Sequence, residues 1–171
     1  QRAGEMVRRM GEGGTSPPIE ITATSPPDGG PRLFLVWAEL EDCLSNLLAN
    51  AVEAIASERP EAARLSFAAE YDQTKWFPLK LMVGNTGKKI SDNVQEQMFE
   101  LFFTTKSSGT GVGLFEVSTF MTGLNGLVDY RYLDSERINR FRLLFPPEVI
   151  VAPSPARRSA KWKTCSKDVD R

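Results

Sequence analysis

The chain has 171 residues, of which 41% are hydrophobic and 25% are charged, and its formal net charge at pH 7 is −1. This composition is typical of one globular domain and excludes a collagen, an intrinsically disordered chain and a disulfide-stapled mini-protein. Histidine is absent, so the chain builds neither a His-dependent nucleophile system nor a His-ligated zinc site. The two cysteines, Cys43 and Cys165, form no CxxC pair, which favours a reducing compartment.

The N-terminal part predicts the end of a helix with its linker, followed by two strands. Residues 1–14 have helix-forming character up to a glycine cluster, and we interpret them as the end of a preceding helix and its linker. Residues 19–24 alternate apolar and polar side chains as a half-buried strand does, and residues 33–37 form a second apolar run. The Pro- and Gly-rich segment between them predicts a turn, so the two strands are expected to form a hairpin.

A long amphipathic helix is predicted over residues 38–57, because apolar residues recur there every three or four positions. Asn46, Asn50 and Glu53 fall within roughly 60° of one another on a polar face of this helix. By themselves these three residues fit a solvated helix face as well as a cleft lined by two amides and a carboxylate.

Two further strands, a long loop and a second helix follow. The apolar runs at residues 63–71 and 76–83 are expected to pair as adjacent antiparallel strands. Residues 84–113 are rich in Gly, Ser and Lys around a short helical patch at 94–103, and a loop of that length usually carries function. The remaining predicted elements are a helix at 112–122 and strands at 127–132 and 140–145, which complete the order β-β-α-β-β-loop-α-β-β.

The C-terminal residues 148–171 carry six basic and three acidic side chains. This basic composition predicts a solvated, mostly disordered tail, with a docking or nucleic-acid-binding arm as the alternative. The acidic body and the single tail aromatic, Trp162, argue against a nucleic-acid partner. No uninterrupted apolar stretch reaches the roughly eighteen residues of a membrane span, so no membrane contact is predicted for this segment.

Three alternating glycines, Gly109, Gly111 and Gly113, stand directly before the second predicted helix. Glycines let a backbone approach a phosphate closely, and a helix N-terminus presents free N–H groups to an anion. Their spacing differs from that of the dinucleotide fingerprint and of the P-loop, so the segment predicts neither of those folds.

Four motifs, in this order, resemble those of the GHKL superfamily, and specifically the ATP-binding catalytic domain of sensor histidine kinases. Residues 46–53 (NLLANAVE) are similar to the N box, and residues 85–87 (NTG) stand where the first glycine box belongs. Residues 99–106 (FELFFTTK) are similar to the F box, and residues 109–114 (GTGVGL) to the second glycine box. The resemblance covers residues 19–146.

The resemblance implies the Bergerat fold, an α/β two-layer sandwich formed here by residues 15–147. Its sheet would be mixed and mostly antiparallel, with helices on one face and a flexible ATP lid at residues 88–109. Asn50 would bind Mg²⁺ through its side-chain oxygen, while Asn46 and Lys106 would be the catalytic residues near the phosphates. The implied ATP-binding residues are Asn46, Asn50, Glu53, Asn85, Gly87, Ile90, Phe99, Thr105, Lys106, Gly109, Thr110, Gly111, Val112, Gly113 and Leu114.

The implied activity is that of a protein histidine kinase, which uses ATP and Mg²⁺. In the hydrolysing branches of the superfamily, a glutamate four residues before the magnesium asparagine activates water. The corresponding residue here is Asn46, and because an amide takes no proton, phosphoryl transfer is favoured over hydrolysis.

The resemblance also implies partners. Since the chain has no histidine, the acceptor is expected on dimerisation helices outside residues 1–171, in the same polypeptide or in its dimer partner. A response regulator is the implied downstream partner. The implied location is cytoplasmic, including as the cytoplasmic part of a membrane-bound sensor.

Two residues depart from the family pattern. Asn85 stands at the position of the adenine-reading aspartate, and Lys89 replaces the second glycine of that box, where its side chain either crowds the turn or adds a phosphate contact. A hydrogen bond to a neutral group contributes about 0.5–1.5 kcal/mol, against about 1.5–3 kcal/mol for one to a charged group, so weakened nucleotide binding is expected. The alternative function is therefore a degenerate nucleotide-binding regulatory module without kinase turnover.

Overall fold

The computed structural model describes residues 19–26, 30–107 and 109–151. The predicted helix end and linker at 1–14 and the predicted tail beyond residue 151 lie outside these ranges. The elements in chain order are β1 (Glu20–Thr24), β2 (Arg32–Leu33), α1 (Trp37–Glu58), β3 (Arg64–Tyr71), β4 (Leu79–Thr86), α2 (Asp92–Gln97), α3 (Gly113–Gly123), β5 (Leu127–Leu133), β6 (Ile138–Phe145), a 3-10 turn (Pro147–Val149) and β7 (Ile150–Val151).

A mixed sheet of five strands, in the order β1-β3-β4-β6-β5, carries the fold. The pairs β3–β4, β4–β6 and β5–β6 are antiparallel, while β1–β3 is parallel. A parallel pair needs a crossover connection, and the 22-residue helix α1 provides it between β1 and β3. The prediction of a mixed, mostly antiparallel sheet is confirmed, and so is the predicted antiparallel pairing of β3 with β4.

The hairpin predicted between the first two strands is wrong. β1 pairs with β3, whereas the two-residue β2 pairs antiparallel with β7. The second apolar run is also much shorter as a strand than predicted, because α1 already begins at Trp37. The predicted half-burial of β1 is also wrong, because all five of its residues are exposed. Alternation of side chains thus indicated a strand, but it did not select the partner strand.

The hydrophobic core lies between the sheet and the helices on one of its faces. α1 packs on β4, and α3 packs on β5 and β6. The predicted apolar stripe of α1 is buried, and the sheet contributes Leu65, Leu143 and Phe145 with no exposed surface. Burial raises the pKa of the Cys43 thiol in this stripe to about 11, so Cys43 stays protonated near neutral pH and serves as a small apolar residue.

Several boundaries differ from the prediction. The short helix α2 spans Asp92–Gln97 and not residues 94–103, and β6 begins at Ile138, two residues before the predicted start. β4 starts at Leu79 and not at Trp76, whose side chain is exposed, because Pro78 supplies no N–H to a sheet ladder. Residues 148–151 were assigned to the tail, yet they complete the 3-10 turn and form β7 against β2, so the folded part continues to Val151. Within the described ranges, no helix combines the length and the apolar character that crossing a membrane requires.

Candidate functional site

The polar face of α1 is turned towards the glycine loop and the lid. The Asn46 Nδ2 atom donates to the Gly113 carbonyl oxygen at 3.3 Å and to Glu116 Oε2 at 2.9 Å. One and two turns further along, Asn50 and Glu53 contact Lys106 of the lid segment. These contacts place the three side chains opposite the glycine loop and the lid, where Asn46 and Asn50 are half-buried and Glu53 is exposed.

A positive charge lies between the oxygen atoms of Asn50 and Glu53. The Lys106 ammonium donates to Asn50 Oδ1 at 2.6 Å and to Glu53 Oε2 at 2.5 Å. The Lys106 and Glu53 side chains are exposed and Asn50 is half-buried, so this ion pair adds little to the free energy of folding. The two oxygen atoms therefore bind a positively charged group here, and an amide oxygen beside a carboxylate oxygen is a donor set that also fits Mg²⁺.

The glycine loop is shaped by backbone geometry that side chains would disturb. Gly111 has φ +68°, and a Cβ built there would overlap the backbone carbonyl of Phe102. The Phe102 N–H in turn donates to the Gly111 carbonyl at 2.9 Å. A Cβ at Gly113 would lie 3.4 Å from Asn46 Cγ, so the loop also fits closely against α1.

The N-terminus of α3 opens directly after this loop. Its N-cap residue is Val112, which has no side-chain acceptor for the first N–H groups of the helix. Such uncapped N–H groups, next to a loop in which every second residue is glycine, form a cradle that suits a phosphate.

The end of β4 and the turn that follows it carry two further candidate residues, Asn85 and Gly87. Asn85 and Thr86 are buried, and the Asn85 Nδ2 atom donates to the Thr86 carbonyl at 3.1 Å. Gly87 is tightly enclosed, because a Cβ there would lie 3.0 Å from Glu58 Oε2, which also accepts from the Lys88 N–H. Lys89 neither crowds this turn nor reaches the glycine loop, since its ammonium lies 3.5 Å from Asp92 Oδ1 at the start of α2.

The remaining candidate residues divide into two groups. Ile90, Phe99 and Leu114 pack against the hydrophobic core, and Phe99 meets Phe141 edge-on with ring centroids 6.5 Å apart. Thr105 and Thr110 are exposed, and the Gly109 N–H donates to the Lys106 carbonyl at 3.2 Å. The first group thus packs the lid and α3 onto the core, while the two threonines of the second group lie at the protein surface.

Four residues of the site were missed by the sequence analysis, namely Glu58, Glu116, Tyr130 and Asn139. Glu116 belongs to a predicted helix, whereas Glu58 lies one residue beyond the predicted end of α1, and nothing in their local pattern marks them as partners of Asn46 and of the β4 turn. Asn139 carried a detectable signal, because it is a polar residue in an otherwise core-facing part of β6 and is 4% exposed.

Known proteins share both the sequence and the fold of this chain. The family model for the histidine kinase-, DNA gyrase B- and HSP90-like ATPases matches residues 35–149. The sensory histidine kinase/phosphatase NtrB of Rhizobium meliloti is 30% identical over 128 residues, which cover 68% of this chain and 32% of NtrB. The sensor protein FixL of Bradyrhizobium diazoefficiens is 38% identical over 89 residues, which cover 51% of this chain and 17% of FixL.

A solved structure extends the comparison to most of the chain. The catalytic domain of the histidine kinase ThkA matches with a TM-score of 0.67 and 25% identity, covering 84% of this chain and 84% of the ThkA chain. This chain spans about a third or less of the length of NtrB and FixL. The resemblance predicted from the four motifs is confirmed: the chain belongs to the histidine kinase-, DNA gyrase B- and HSP90-like ATPase family, as an ATP-binding catalytic domain of the sensor histidine kinase type.

Proposed function

We propose that this domain binds ATP together with Mg²⁺ and transfers the γ-phosphate to a histidine that lies outside residues 1–171. The observation that carries the proposal is the Lys106 ammonium held between Asn50 Oδ1 and Glu53 Oε2. A lid residue and the helix α1 thereby already share a cation site beside the glycine cradle. Two oxygen atoms and a movable positive charge therefore lie beside the loop that would hold the phosphates, which supports binding of a metal-bound triphosphate.

The chain's own residues have distinct roles in this proposal. Mg²⁺, when bound, neutralises charge that develops on the phosphate oxygens. Asn50 supplies an oxygen ligand to the metal, and Lys106, once displaced from Asn50 and Glu53, contacts a phosphate from the lid side. The N–H groups around Gly111 and Gly113 then hold the phosphates at the N-terminus of α3.

Asn46 favours transfer over hydrolysis. Its amide accepts no proton, and its Nδ2 atom is engaged by the Gly113 carbonyl and by Glu116. Asn46 therefore fixes the start of α3 against α1 and does not activate water. The phosphoryl acceptor then has to come from outside, on histidine-bearing dimerisation helices of the same polypeptide or of its dimer partner, with a response regulator as the subsequent acceptor.

A phosphotransfer experiment tests the proposal. We would incubate the chain with radiolabelled ATP, Mg²⁺ and a separately produced helical hairpin that carries the histidine of the parent protein. We expect acid-labile label on the hairpin, no label when Mg²⁺ is chelated, and none on a hairpin whose histidine is replaced by glutamine. The chain has no histidine of its own, so acid-labile phosphohistidine on it is impossible.

The alternative function is a nucleotide-sensing module without turnover. The neutral, buried Asn85 favours it, because the family pattern has a charged carboxylate at this position. Nucleotide binding without label on the intact hairpin would support this alternative and refute phosphoryl transfer.

Asn85→Asp is predicted to strengthen nucleotide binding by up to about tenfold, because a charged acceptor makes a stronger hydrogen bond with the exocyclic amine of adenine. The same variant should lower the Tm of the nucleotide-free domain, since it replaces the N–H donor to the Thr86 carbonyl with a buried carboxylate. Calorimetric titration and thermal unfolding measure the two effects. Equal affinity of variant and wild type would contradict an adenine contact at residue 85.

A further inference from the structure

We propose that Tyr130 and Asn139 are positioning residues that anchor the base of the lid, and that they set nucleotide affinity through residues 87–90 without touching the phosphates. The proposal rests on the proposed nucleotide site. It assigns a role to two residues that lie outside the four sequence motifs, on β5 and β6.

The anchor is a short chain of hydrogen bonds. The Tyr130 hydroxyl donates to Asn139 Oδ1 at 2.7 Å and accepts from the Ile90 N–H at 3.1 Å. The Asn139 Nδ2 atom donates to the Lys88 carbonyl at 3.1 Å. The two side chains thus hold one carbonyl and one N–H of the segment that leads from β4 into the lid.

Both side chains are fixed by their surroundings. Asn139 is 4% exposed and lies opposite Asn85 in the β4–β6 register. The Tyr130 ring packs on Phe141 with centroids 5.5 Å apart, and Phe141 also contacts Phe99 in the middle of the lid. Burial raises the pKa of Tyr130, so its hydroxyl keeps its proton and remains a donor at neutral pH.

The anchored segment sits between two parts of the nucleotide site. Asn85 near the end of β4 and Gly87 just after the strand precede it, and the chain that follows it carries Lys106 back to Asn50 and Glu53. A shift of residues 88–90 would therefore displace the Asn85 side of the site relative to the phosphate side. The Gln95 side chain donates to the Ile90 carbonyl at 2.6 Å, which links the same segment to α2.

Tyr130→Phe tests the proposal, because it removes one oxygen atom and keeps the ring. The variant leaves the Ile90 N–H and Asn139 Oδ1 without their shared partner, and we expect nucleotide to bind about tenfold more weakly. Hydrogen exchange in the full chain should accelerate at Lys88 and Ile90 while β4 and β6 amides keep their protection. In the phosphotransfer assay the KM for ATP should rise and kcat at saturating ATP should remain near the wild-type value.

Tyr71→Phe is the matched control, since it removes the same atom at the end of β3, away from the lid. It should leave exchange at Ile90 and affinity for a non-hydrolysable ATP analogue unchanged. Unaltered exchange at Ile90 in Tyr130→Phe, or accelerated exchange there without weaker nucleotide binding, would overturn the proposal. Failure of the wild-type chain to bind nucleotide would instead refute the proposed function, and exchange at Ile90 would still decide whether Tyr130 anchors the lid.

Discussion

Asn50→Ala is expected to remove the Mg²⁺-dependent part of ATP affinity. The variant loses the Oδ1 atom that we assign to the metal, and even the loss of groups that only support metal ligands costs about 10- to 100-fold in metal affinity. A loss of at least tenfold in the presence of Mg²⁺ is therefore expected. Affinity measured in a chelator should change far less, because the glycine cradle and the β4 turn remain.

The measurement is a calorimetric titration of the chain with a non-hydrolysable ATP analogue, with Mg²⁺ and with a chelator. Asn93→Ala is a suitable control, because Asn93 is an exposed amide on α2 whose Oδ1 atom accepts a hydrogen bond from the neighbouring Ser91 Oγ. Asn50→Asp keeps an oxygen at the same position and should retain the response to Mg²⁺. If Mg²⁺ raises the affinity of Asn50→Ala for the ATP analogue by the same factor as in the wild type, the metal ligand lies elsewhere.

Asn50→Ala also separates two roles of this part of α1. Asn50 Oδ1 is one of the two oxygen atoms that hold Lys106, so the variant loosens the lid as well as removing a metal ligand. A looser lid changes affinity with and without the metal, whereas loss of the ligand changes only the difference between the two titrations. The ratio of affinities with and without Mg²⁺ is therefore the decisive quantity.

The helical part of the fold could be predicted from the sequence because its signal is local. The apolar stripe of α1 follows the 3.6-residue period, and the same period brings Asn46, Asn50 and Glu53 to one face. Strand pairing has no such local signal. β1 is exposed along its whole length, so its alternation identified a strand but did not indicate that it pairs with β3 beyond the crossover helix.

The candidate site could be predicted only where the motifs are. The glycine loop and the polar face of α1 were recognised separately, and the structure joins them through the contact of Asn46 with Gly113. Glu116 and Tyr130 could not be found in this way, because each acts through a single contact with a distant segment. The sequence likewise does not say whether Lys89 crowds the turn, because that depends on the position of its ion-pair partner Asp92.

Gly111→Val is expected to abolish phosphate binding by the glycine loop. Gly111 has φ +68°, a conformation that costs a β-branched residue roughly 1–3 kcal/mol, and its Cβ would overlap the Phe102 carbonyl. The loop has to move to relieve this overlap, which breaks the hydrogen bond between the Phe102 N–H and the Gly111 carbonyl. Strain of that size corresponds to about 10- to 100-fold weaker nucleotide binding, and displacement of the cradle N–H groups adds to it.

Gly123→Val supplies the matched control at the other end of the same helix. Among the described residues, no atom outside the adjacent residues and the helix's own backbone lies within 4 Å of a Cβ at Gly123, so the same substitution should leave the affinity for an ATP analogue near the wild-type value. Gly111→Ala should already show most of the loss, because the overlapping atom is the Cβ itself and not the branched methyl groups. Near-normal affinity in Gly111→Ala with a large loss in Gly111→Val would assign the effect to side-chain bulk, and normal affinity in both would place the phosphates away from this loop.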